Sequence, residues 1–168
     1  MNTTKSITLA ISAIIAIVIM LLIIQLLTRK LKAKSQYEGR LKYSYGIWFS
    51  ALFISAAFIT ERMIFSLAEA IDNIQKYISA NILGEVAKTA SLFIGLSGIW
   101  FIIWYYIANM LSVTVVGIRK SQNEIDIDNI TYFIIKGVLI FGFIYCLSPV
   151  FEIILRTFMP TIQIPFYH

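Results

Sequence analysis

Charge is scarce in this chain. Of 168 residues only 14% are Asp, Glu, Lys or Arg, 59% are hydrophobic, and the mean hydropathy is +0.82. Soluble domains are about 25% charged and about 45–50% apolar, so the solvent expected for most of this chain is lipid. Cysteine is almost absent, with Cys146 the only one, inside an apolar run. One thiol cannot close an intramolecular disulfide, which excludes quinone-coupled disulfide chemistry, because that needs cysteine pairs. Histidine is equally rare: His168 stands alone. Bis-histidine haem ligation within a bundle is therefore excluded, as is a His-based zinc site in the membrane. No phosphate loop, nucleophile elbow or metal motif appears. The expectation is a protein that is not an enzyme and holds no cofactor.

What is present is a series of long uncharged runs. Residues 6–28 carry no charge over 23 positions, and about 20 apolar residues span a hydrocarbon core. A signal peptide is the rival reading, but the run exceeds the usual core of about 7–15 residues and no small-residue cleavage site follows. Further uncharged runs open at Tyr43, Thr89 and Gly137. They predict four transmembrane helices over about 6–28, 43–65, 89–118 and 132–158, in an all-α polytopic fold forming a single domain. Pro149 is expected to kink the fourth, which membrane helices tolerate when neighbours satisfy the freed backbone groups.

Between the second and third spans, Leu67, Ile71, Ile74, Ile78 and Ile82 recur at helical spacing, with Glu69, Asp72 and Lys76 off that face. Residues 66–88 therefore read as an amphipathic extension of helix two outside the membrane. Asn81 or Gly84 is its expected stop.

The net charge is +5. In a membrane protein the basic residues report topology. Arg29, Lys30, Lys32, Lys34, Arg40 and Lys42 fall in loop one, and Arg119, Lys120 and Lys136 lie in or near loop three. The other side holds Lys5, Arg62, Lys76, Lys88 and Arg156. The positive-inside rule places loops 29–42 and 119–130 in the cytoplasm and both termini outside, in the periplasm of a bacterial inner membrane.

Several positions recur between the two halves. Gly46 and Glu61 match Gly137 and Glu152 at an offset of 91, and Arg29-Lys30 matches Arg119-Lys120 at an offset of 90. Few other positions match, and chance remains the alternative to a parallel tandem repeat of two helical hairpins. A run of 15 residues at ~1.5 Å each sets Glu61 about 22 Å beyond Gly46, in the outer third of the bilayer. There Glu61 and Arg62 either mark the interface, with Arg62 snorkelling, or Glu61 and Glu152 face inward and line an ion path. Arg156 lies four positions after Glu152, the spacing of a helical ion pair.

In loop three, Glu124, Asp126 and Asp128 alternate with isoleucines. The run lacks the glycine and distal glutamate of an EF-hand, and Asp128 or Asn129 is expected to cap helix four. Loop one is basic with a single aromatic, Tyr37, and no interleaved pattern of them, which argues against nucleic acid and for anionic lipid or a soluble protein partner. In helix three Ser91, Gly95 and Gly98 allow close helix approach, as do Ala51 and Ser55 in helix two, and Asn109 needs a partner in the bundle or across a subunit interface.

The stretches SYGIWFSA and IIKGVLIF open helices two and four, each after a polar loop. With two hairpins of this layout, the chain resembles the YjfL-type family of small bacterial inner-membrane proteins of unknown function. That resemblance implies four spans in two repeats and supplies no activity. The family's Asn-x-Ala-Ala-like motif is absent from both stretches.

Two functions are compatible with these residues. One is a non-enzymatic homo-oligomer in membrane lipid, an ion-conducting pore or membrane-acting effector. The other is an anchoring or sensing subunit that recruits a soluble cytoplasmic partner through 29–42, as in a defence or envelope-stress system.

Overall fold

A computed structural model describes residues 2–37, 40–77 and 81–159, with the side chains of Asn2, of 33–40 and of Tyr77 outside that description. The fold is all-helical apart from one short antiparallel pairing. Helix α1 spans Asn2–Ser35, α2 Tyr43–Tyr77, α3 Ile82–Val116, α4 Ser121–Asp126, α5 Ile130–Cys146 and α6 Ser148–Thr157. Strands β1 (Gln36–Tyr37) and β2 (Arg40–Leu41) pair between α1 and α2, with Gln36 opposite Leu41.

Helices α1, α2 and α3 are each long and apolar enough to cross a membrane. The α5–α6 pair, bent by 47°, makes a fourth if counted as one broken span. Helices of 34 and 35 residues extend roughly 50 Å, beyond a hydrocarbon core of about 30 Å.

Helix α2 is the axis of the bundle and packs on α1, α3, α5 and α6. Its buried side chains Trp48, Leu52, Ala56, Ile59, Met63 and Leu67 recur every three or four residues, so one helical stripe meets the core along the whole length. Helix α1 contributes a narrower stripe, Ala16, Met20, Ile24 and Leu31. Its other faces expose Ile7, Ile11, Ile14, Val18, Leu22 and Leu26, a surface that lipid solvates and water would not.

The break between α5 and α6 follows from Pro149. Proline has no N–H, so the Tyr145 carbonyl loses its helical donor. The Ser148 hydroxyl takes that place, donating to the Tyr145 carbonyl at 2.9 Å. The kink expected at Pro149 is thus a full break at Leu147, with its freed carbonyl satisfied locally.

Residues 66–88 are not one helix. Leu67, Ile71 and Ile74 continue α2 and are buried against the bundle, while Ile82 opens α3. Asn81 turns the chain with φ 53° and caps α3, its side chain accepting from the Gly84 N–H at 3.3 Å. The stripe read from sequence therefore divides between two helices, and Ile78 lies outside the described residues. The third span likewise begins earlier than residue 89, because 82–88 belong to α3.

Loop three contains a helix that periodicity did not reveal. Six-residue α4 packs against α1. Asn129 caps α5, its side chain accepting from the Tyr132 N–H at 3.2 Å. Asp128, at φ 52°, turns elsewhere: its carboxylate accepts from the Ser44 N–H at 2.9 Å and so caps α2. The two candidates for one cap serve two different helices.

Candidate anion-binding pocket at the basic end of the bundle

The end of the bundle where α1 finishes and α2 and α5 begin holds a buried cation. Lys136 is six residues into α5, about 9 Å from its first residue, and is only 3% exposed. Its Nζ donates to the Ser121 hydroxyl at 2.8 Å, and Ser121 in turn shares a hydrogen bond of 2.9 Å with the Tyr132 hydroxyl. The ammonium also lies 4.9 Å from the centre of the Trp48 ring and 5.6 Å from that of Tyr132. These are cation–π distances, and Trp is the best of the ring faces. Among the described residues no carboxylate pairs with Lys136.

Each support for this lysine comes from a different element. Trp48 is on α2, fully buried, and packs against Tyr105 of α3 and Phe133 of α5. Ser121 opens α4. An ammonium has three donors, and Ser121 takes one.

Lys136 opens into a cavity of about 590 Å³ between α1, α3, α4 and α5. Lys30, Lys120, Tyr105, Asn109 and Gln122 are among its lining residues, and among the described residues no acidic side chain is. The Tyr105 hydroxyl reaches the Leu27 carbonyl at 3.5 Å. The nearby acids are engaged elsewhere. Glu124 accepts from Asn129 at 2.6 Å and from Arg119 at 3.5 Å, and the Asp128 carboxylate faces Ser44. Three lysines around a cavity that no carboxylate lines among the described residues form an anion-attracting site.

The sequence-predicted residues fall in other arrangements. Arg62 donates to Glu152 at 3.1 Å, joining α2 to α6. Arg156 does not pair with Glu152 four residues before it but reaches Glu69 of α2 at 3.2 Å. Lys5 of α1 pairs with Asp72 of α2 at 2.6 Å. Glu61 is exposed on the outside of the bundle, so Glu61 and Glu152 do not converge on one interior path. They belong to an ion-paired end opposite the basic one.

The small residues divide. Gly98 is buried, and a Cβ there would meet Ile23 of α1 at 3.1 Å. Ala51 meets α5 at Gly137, where a Cβ would come within 2.7 Å of the alanine methyl. Ser55 is buried and bonds the Ala51 carbonyl of its own helix at 2.8 Å. Ser91 and Gly95 are exposed. Asn109 donates to the Tyr105 carbonyl of its own helix at 2.8 Å and needs no neighbouring chain for that bond.

Of the residues expected in loop one, Arg29, Lys30 and Lys32 lie instead on the last turns of α1, where they are exposed. Lys42 is structural, donating to the Ile125 and Asp126 carbonyls at 3.0 and 2.9 Å. The side chains of Lys34 and Arg40 lie outside the described residues. Lys136 itself was counted from sequence only as a topology marker. Its signal was a single cation seven residues into an apolar run, the pattern that marks function inside a membrane.

No protein-family model matches this chain, and neither a curated protein nor a solved structure shows significant similarity to it.

Proposed function

We propose that the chain is a non-enzymatic inner-membrane protein that recognises an anionic group at a basic, cytoplasmic end, as the anchoring or sensing subunit of a larger assembly. The observation that carries this reading is Lys136. A buried cation without a carboxylate is costly in a membrane bundle. The chain keeps it on two aromatic faces and one hydroxyl, in a cavity that two further lysines line. That arrangement leaves positive potential for a ligand or partner to neutralise.

The topology belongs to the same proposal. Helices α1 and α2 form one hairpin, and α3 with the broken α5–α6 pair forms the second, giving four crossings with both termini periplasmic. The Lys and Arg count supports this orientation, and the matched glycines, glutamates and Arg-Lys pairs support the parallel repeat. The YjfL-type resemblance agrees with two hairpins in one chain.

A second reading is a homo-oligomer, with any conducting path lying between copies. Exposed Ser91 and Gly95 on α3 favour it, because small residues let helices approach closely. An apolar groove of about 680 Å³, lined in part by Gly46, Ala51 and Gly137, offers another contact surface.

Gentle extraction followed by native mass spectrometry tests the choice. The anchoring reading expects an anionic ligand or soluble partner bound to the wild type and lost from Lys136→Gln. If both proteins give only the same multiple of 19.1 kDa, the oligomer reading stands instead.

A further inference from the structure

We infer that the Lys136 pocket takes the phosphate of an anionic phospholipid whose acyl chains lie along the exposed apolar sides of α1 and α3. This rests on the reading of the basic end as an anion-recognising surface and names the ligand class.

The polar half of the argument is the lysine set. Lys136 offers charged donors beyond the one that Ser121 accepts, and Lys30 and Lys120 line the same cavity from α1 and from the turn before α4. Basic pockets between membrane helices near the cytoplasmic surface suit phospholipid headgroups. Hydrogen bonds from ammonium to phosphate are among the stronger ones.

The apolar half separates a lipid from a free anion. On α1, exposed Leu22 and Leu26 stand at four-residue spacing directly below Lys30. On α3, exposed Ile99, Ile103 and Tyr106 form a parallel stripe below Asn109. Residues four or three apart share one helix face, so both stripes lead from the hydrocarbon region into the pocket. Between them the helices meet closely, with Ile23 against Gly98 and the Tyr105 hydroxyl at the Leu27 carbonyl. The surface is cationic at the mouth and apolar along the approach. An amphipathic anion matches both parts, whereas a soluble phosphate or acidic peptide uses only the first.

The test uses full-length protein exchanged into zwitterionic detergent and titrated with phosphatidylglycerol, phosphatidylcholine or inorganic phosphate, read by native mass spectrometry. One phosphatidylglycerol should bind in preference to phosphatidylcholine, and inorganic phosphate at equal concentration should not displace it. Lys136→Gln should weaken binding at least about tenfold, the scale of a lost charged hydrogen bond. Lys120→Gln, at an exposed position that packing does not depend on, should weaken it about fivefold. Lys76→Gln at the opposite end should change nothing. Equal binding of the two lipids, or unchanged affinity in both Lys136→Gln and Lys120→Gln, overturns the proposal. Full displacement by inorganic phosphate overturns the lipid assignment while leaving anion recognition intact. If extracted wild type and Lys136→Gln carry identical bound species, anion recognition falls as well.

Discussion

Gly46 and Gly137 look equivalent in the sequence, each near the start of an apolar run. Packing separates them. A Cβ on Gly137 would come within 2.7 Å of the Ala51 methyl, whereas at Gly46 nothing lies within 4 Å. Gly137→Ala should therefore destabilise the bundle by about 1–3 kcal/mol, the usual cost of overpacking a close helix crossing. Adding Ala51→Gly should recover most of that loss. Gly46→Ala should leave stability unchanged or raise it by up to about 1 kcal/mol, because alanine is the better helix former. Thermal unfolding in one detergent checks all three, and equal losses at the two glycines would refute the packing account. The same limit hid Lys136. From sequence it was one more basic residue near a loop, since Tyr132 precedes it by one helical turn but only the fold brings Trp48 and Ser121 to it from α2 and α4.

At the scale of elements, what was legible was what depends on local chemistry. The apolar runs predicted the long helices, and Pro149 predicted the interruption at Leu147. The 66–88 segment was misread because a stripe of spacing three and four continues across Asn81, although the chain reverses there. Helix α4 was missed because six residues are too few to show a period. The contacts of its loop then set how α2 begins. The Lys42 ammonium ties the α2 start to the Ile125 and Asp126 carbonyls, and Asp128 caps α2 at the Ser44 N–H. The Ser44 side chain facing the carboxylate holds the Asp128 carboxyl below its ordinary value of 3.8, against partial desolvation, with the Ser44 backbone N–H and the Lys42 charge adding to it. The Ser44 hydroxyl faces the carboxylate without meeting hydrogen-bond geometry, so the N–H makes the formed bond. A carboxyl depressed in the folded state stabilises it at pH above the unfolded value, and that contribution is lost as pH falls through the folded value. Asp128→Asn tolerates the left-handed backbone and cannot titrate. Its amide oxygen can still accept from the Ser44 N–H, so at neutral pH it should cost less than the roughly 1 kcal/mol of a lost helix cap. It should also flatten the loss of thermal stability that wild type shows on acidification below about pH 4. An unchanged acid slope would remove Asp128 from this role.

For the whole molecule, the two ends differ more than a count of basic residues suggests. At one end Lys5, Arg62 and Arg156 are each paired with a carboxylate, from Asp72, Glu152 and Glu69. At the other, Arg119 pairs with Glu124, but Arg29, Lys30 and Lys120 are exposed and Lys136 is buried among aromatic rings. Composition made the membrane character legible, because an exposed face like that of α1 has no other suitable solvent. It could not decide whether the bent α5–α6 pair crosses the bilayer or turns back within it. The ion pairs bear on that question, since Arg156 and Glu152 dock α6 on the part of α2 that leads to Asp72. On a background of Cys146→Ser, single cysteines at Lys76, Lys120 and Phe158 can be probed with a membrane-impermeant maleimide on intact cells. All three positions are exposed on the protein. A crossing α5–α6 in the proposed orientation labels Lys76→Cys and Phe158→Cys from outside, and Lys120→Cys only after permeabilisation. If Phe158→Cys instead labels together with Lys120→Cys, the pair is re-entrant and the chain crosses three times. If Lys120→Cys alone labels from outside, the basic pocket faces the periplasm, and its ligand must come from the outer leaflet and not from the cytoplasmic one.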